Sequence, residues 1–97
     1  MKSKYYIMLS VKTRTGYECF GEYYLGTDPG YAFEIFSGLK GNERPREQAA
    51  LHFDFMEIEG DLPAKVKTIS CTLDEFIANC KSIAKEVFRL NNLKELL

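Results

Sequence analysis

The hydrophobic period of this chain changes from two to 3.6 and then repeats the change, an order that leaves few folds open. Residues 4–13 (KYYIMLSVKT) set Tyr5, Ile7, Leu9 and Val11 against Tyr6, Met8, Ser10 and Lys12, the alternation of a strand whose two faces meet different surroundings. Arg14, Thr15 and Gly16 make a short loop. Residues 17–25 return as a second strand, with Tyr17, Cys19, Tyr23 and Leu25 on one side and Glu18, Phe20, Glu22 and Tyr24 on the other. Gly21 inside it predicts a bulge or a close approach by another group.

The period then lengthens. Asp28 is placed to cap a helix that starts at Pro29. Ala32, Ile35, Phe36 and Leu39 fall on one stripe, with Gly41 as the exit. Residues 41–48, charged and interrupted by Pro45, have no periodicity and read as a mobile loop. Alternation resumes over 49–59, where Leu51, Phe53 and Phe55 oppose His52 and Asp54. The phase slips near Met56, which predicts a bulge there. Gly60, Asp61, Leu62 and Pro63 are turn residues, and residues 65–72 form a fourth strand.

The last segment opens on Thr72 and Glu75, spaced as a capping box. Leu73, Phe76, Ile77, Cys80, Ile83, Ala84, Val87 and Leu90 then mark the apolar face of a long helix, and residues 91–97 either extend it or fold back. The order β-β-α-β-β-α predicts an α+β two-layer sandwich: a four-stranded antiparallel sheet with two helices on one face. A ferredoxin-like motif, circularly permuted, has the same order of elements, an analogy of layout that brings no function with it. Ninety-seven residues make one domain, 1–97, and 45% hydrophobic with 13% aromatic residues is enough to close its core without disulfides.

Charge and motifs narrow the function classes. Thirteen basic against fourteen acidic residues build in no general attraction to nucleic acid or anionic lipid. The apolar run from Tyr5 to Leu9 is too short for a secretory signal or a membrane span. Cys19, Cys71 and Cys80 are odd in number and form no C-x-x-C pair, which fits a reducing compartment, so cytoplasmic residence is the expectation. A nucleophile paired with the single histidine would have to be Cys71, which directly precedes the cap of the second helix, or Cys19, but the pattern fits buried small hydrophobes better.

His52 and Asp54 share a strand face and could line a pocket, although a metal site wants a third ligand. Asp54, Glu57, Glu59 and Asp61 fail the calcium-loop spacing because Met56 and Ile58 stand where oxygens are needed. Lys81, Lys85 and Arg89 form a basic ridge that Glu86 interrupts and that the helix dipole already accounts for, so nucleic acid is not favoured as a partner. No glycine-rich phosphate loop or G-x-S-x-G occurs, and no cofactor, metal or catalytic residue is assigned.

The most informative feature is the outer face of the first hairpin. If Tyr5, Ile7, Leu9 and Val11 pack under the helices, then Tyr6, Met8, Phe20 and Tyr24 face outward, where an open antiparallel sheet is usually polar. That predicts a small non-catalytic interaction module, self-associating through the open face or an edge strand, or binding a protein partner. The alternative is a small enzyme or ligand-binding protein using His52, Asp54 and nearby acids.

Overall fold

The computed structural model describes residues 3–43 and 50–90. Four strands, β1 (Lys4–Thr13), β2 (Gly16–Gly26), β3 (Leu51–Glu59) and β4 (Leu62–Cys71), form one antiparallel sheet in the order β2-β1-β3-β4, with helices α1 (Pro29–Ser37) and α2 (Leu73–Leu90) following each hairpin. The α+β class and the element order are those the periods predict. The strand order departs from the ferredoxin-like analogy, because the first strand of each hairpin is central here and a permuted ferredoxin-like sheet would place the second strands there.

Local chemistry sets the element ends. The Asp28 carboxylate accepts from the amides of Gly30 and Tyr31, so α1 starts at Pro29. Thr72 and Glu75 form a reciprocal capping box: the Thr72 amide donates to Glu75 Oε1 at 2.9 Å and the Glu75 amide to Thr72 Oγ1 at 3.2 Å. The second hairpin turns on Gly60 and Asp61, with Gly60 at φ 66, a conformation that favours glycine. Leu62 and Pro63 belong to β4 instead of the turn. Pro63 is tolerated because β4 is an edge strand.

Both helices cover the face carrying Tyr5, Ile7, Leu9, Phe53, Phe55 and Ile69, into which Ala32, Phe36 and Ile83 are inserted. Phe55 stacks on Phe36 and Tyr5 at ring-centroid distances of 5.2 and 5.8 Å, and Phe53 meets Phe76 at 5.2 Å. Such pairs add about 0.5–1.5 kcal/mol each beyond their buried area.

Four expectations are corrected. First, α1 ends at Ser37 because Gly38 donates back to Glu34 and Ile35 and closes the last turn. Gly41 instead crosses β4 so closely that a Cβ would lie 2.8 Å from the Ser70 carbonyl oxygen. Second, the start of the segment read as an aperiodic loop pairs with β4, where Asn42 exchanges two backbone hydrogen bonds with Ser70. Residues 44–48 of that loop and the tail 91–97 lie outside the described residues.

Third, Leu73 and Ile77 are 64% and 59% exposed, while Phe76, Asn79, Cys80 and Ile83 face inward. Buried Asn79 turns the helix this way: its side-chain oxygen accepts from the Lys40 amide at 2.8 Å and its nitrogen donates to the Lys40 carbonyl at 2.7 Å. The side chains of Val87 and Leu90, assigned to the same stripe, lie outside the described residues. Fourth, β3 has no bulge. It pairs with β1 without interruption from Ile58 to Leu51, and the extra residue is Val66 on β4. A bulge in a central strand would disturb two ladders, whereas one in an edge strand disturbs only its own.

Candidate functional site

Directly paired residues share a face, so the register identifies what stands on the side of the sheet away from the helices. One row runs Tyr24, Tyr6, Met56, Lys65. The next runs Glu22, Met8, Asp54, Thr68, and a third runs Cys19, Ser10, His52, Ser70. The face therefore has an apolar end around Tyr6 and a polar end around Asp54 and His52. Because β3 keeps its phase, Met56 and Ile58 join Tyr6 and Tyr24 at the apolar end, where Ile58 and Pro63 help line a shallow depression of about 480 Å³.

Of the residues expected outside, Tyr24 is 54% exposed, Tyr6 and Met8 are half-buried, and Phe20 is 77% exposed. Phe20 is the extra residue of a bulge in β2, between the pairs Leu9 with Gly21 and Ser10 with Cys19. The bulge that Gly21 predicts has a consequence the alternation missed: it reverses the phase of the preceding residues. Tyr17 and Cys19 thus leave the face of Tyr23 and join the open one.

At the polar end a basin of about 590 Å³ is bordered by Met8, Ser10, Tyr17, Cys19, His52 and Asp54, with Lys65 and Thr68 completing it. Asp54 is only 2% exposed although it faces away from the helices. Its Oδ1 accepts from the Thr68 hydroxyl at 2.6 Å. Its Oδ2 has longer contacts, to the Ser10 hydroxyl at 3.3 Å and the Lys65 ammonium at 3.8 Å. His52 stacks on Tyr17 at 4.4 Å between ring centroids, and its Nε2 is buried with no hydrogen-bond partner among the described residues. Burial lowers its pKa, Asp54 opposes that and Lys65 adds to it. The imidazole is therefore neutral at pH 7.

The other candidates disperse. Glu57 lies on the helix side, where it accepts from the Tyr5 hydroxyl at 2.7 Å, and Glu59 and Asp61 are exposed. Among the described residues no group of three His, Cys, Asp or Glu side chains could hold a metal ion. Cys71 is buried on the helix face and donates to the Lys40 carbonyl. Burial first, and the Glu75 carboxylate second, push its thiol up to about 11, the reverse of what a nucleophile needs. Cys80 is likewise raised by burial. Cys19 and His52 flank Ser10 in one row, a proximity that two distant segments gave no sign of. On α2, Arg89 pairs with Glu86 at 3.3 Å, which occupies one end of the basic ridge.

Ser10, Thr68, Lys65 and Tyr17 belong to the site and are missed by pattern reading. Ser10 carried a usable signal, since a hydroxyl amid the apolar residues of a central strand needs a polar neighbour. No described helix is long and apolar enough to cross a membrane. The chain matches no protein-family model, no curated protein and no solved structure.

Proposed function

We propose that this protein is a non-catalytic interaction module that self-associates through the open face of its sheet. The observation that carries the reading is the apolar row Tyr24, Tyr6, Met56, flanked by Met8 and Ile58, on the side opposite both helices. Met56 is itself only 7% exposed, but Tyr24 is 54% exposed and Tyr6, Met8 and Ile58 are half-buried, so apolar surface around the row still meets water in an isolated molecule and a second copy would remove it.

Area and charge both favour a second copy as the occupant. Strands of nine to eleven residues in a four-stranded sheet present roughly 600 Å² per face. Two copies would bury about 1,200 Å², the lower end of specific interfaces. The two edges of the face carry opposite charges, Glu22 on β2 and Lys65 on β4. A two-fold axis parallel to the strands lays each edge over the other edge of its partner, so the contact is self-complementary.

Size-exclusion chromatography with light scattering over a concentration series tests this. The wild-type chain should shift from monomer to dimer as concentration rises. Tyr24→Glu, at a half-exposed position, should stay monomeric with an unchanged circular dichroism spectrum. A wild-type chain that is strictly monomeric throughout overturns the reading.

A further inference from the structure

The polar end of the open face has hydrogen-bonding capacity that its own neighbours leave unused. A carboxylate as deeply buried as Asp54 normally meets a bidentate arginine or several short donors, because removing it from water costs several kcal/mol. Among the described residues Oδ1 has one short bond, from Thr68, while Oδ2 has contacts of 3.3 and 3.8 Å. Two residues away on the same strand face, His52 Nε2 is buried without a partner among the described residues. Both groups border the same basin of about 590 Å³, whose remaining wall includes Met8 and Tyr17. A concave site with apolar walls and a few convergent polar groups is the usual form of a small-ligand pocket.

Charge selects among ligands. An anion entering the basin would meet the Asp54 carboxylate, and a neutral alcohol would leave its charge unanswered. Among the described residues the cation paired with Asp54 is Lys65, but its side chain is 56% exposed and stays 3.8 Å from the carboxylate. Its flexible stem can swing to water and yield the position. We propose that the basin binds a small organic ammonium compound, with its N–H donated to Asp54 Oδ2 in place of Lys65 and its apolar part against Met8 and Tyr17. Neutral His52 then offers an acceptor at Nε2 in place of a repelling charge. The basin lies on the same face as the proposed dimer contact and shares Met8 and Lys65 with it, so the monomeric Tyr24→Glu variant separates the two.

The test titrates benzylamine into the full chain at pH 7.5, with benzyl alcohol and benzoate as neutral and anionic counterparts of similar shape. Binding is followed by calorimetry and by the ring-proton resonances of His52, the only histidine. Benzylamine should bind saturably and move those resonances, about tenfold or more tightly than benzyl alcohol, and benzoate should not bind. Asp54→Asn should abolish the preference for the amine. Lys65→Ala keeps the carboxylate, removes the competing ammonium and should tighten binding, so the proposal remains testable if Asp54→Asn fails to fold. The monomeric Tyr24→Glu variant should bind the amine as the wild type does. Equal affinity for benzylamine and benzyl alcohol, or no binding of the amine to either the wild type or Lys65→Ala, overturns it.

Discussion

Phe53 and Asp54 are neighbours on β3, 0% and 2% exposed, and they are buried for unrelated reasons. Phe53 lies under α2 against Phe76, in a core where apolar area removed from water supplies the stabilisation. Asp54 points to the opposite face, where no described helix lies, and is hidden by Ser10, Thr68, Met8 and Lys65. Burial on the helix side stabilises the fold directly. On the open side it holds a charge out of water, a cost that the hydrogen bonds from Thr68 and Ser10 oppose. One sheet thus carries a face buried by apolar packing and another where a carboxylate is buried among hydroxyls.

Three substitutions would break or sharpen that contrast. Phe53→Ala should have the largest effect, a loss of about 3–5 kcal/mol in urea unfolding, because it opens a cavity between two layers. Asp54→Ala should cost less, about 1–3 kcal/mol, chiefly by stranding the Thr68 and Ser10 hydroxyls. A loss equal to that of Phe53→Ala would show that the open face is as much a part of the core as the covered one. The smallest effect belongs to His52→Gln, and it depends on pH. Burial lowers the pKa of His52 in the folded chain, so below the ordinary value of about 6.5 the unfolded chain takes up the proton more readily. His52 therefore contributes stability that is present above that value and declines as pH falls toward the folded pKa. The difference in urea midpoint between wild type and His52→Gln should shift against the wild type between pH 7.5 and 5.5. A difference that does not change with pH would mean that His52 titrates alike in both states.

Much of the architecture was legible because local physics specifies it. The cap at Asp28, the capping box of Thr72 and Glu75, and the alternation of residues 4–13 are each decided within a few positions. The errors arose where a non-local contact overrode the local pattern. Ile77 fits the apolar stripe of α2, but with Asn79 clamped on Lys40, 39 residues away, the Leu73 and Ile77 edge of that stripe faces outward while Phe76, Cys80 and Ile83 stay inward. Met56 looked like a phase slip because open faces are usually polar, and the irregularity belonged to the partner strand at Val66.

The candidate site divides along the same line. His52 and Asp54 are two apart on one strand, so their common face follows from the strand period alone. That Ser10, 44 residues from Asp54, donates to it, and that Tyr17 stacks on His52, depends on pairings between separate segments and on the bulge at Phe20. The chain's own residues thus settled its elements, their N-terminal caps and the alternation of β1, since those follow from torsions and neighbours a few positions apart. Strand order, the placing of bulges at the sheet's edges and the gathering of the basin came from packing, because the energies that choose among registers exist only once distant segments meet.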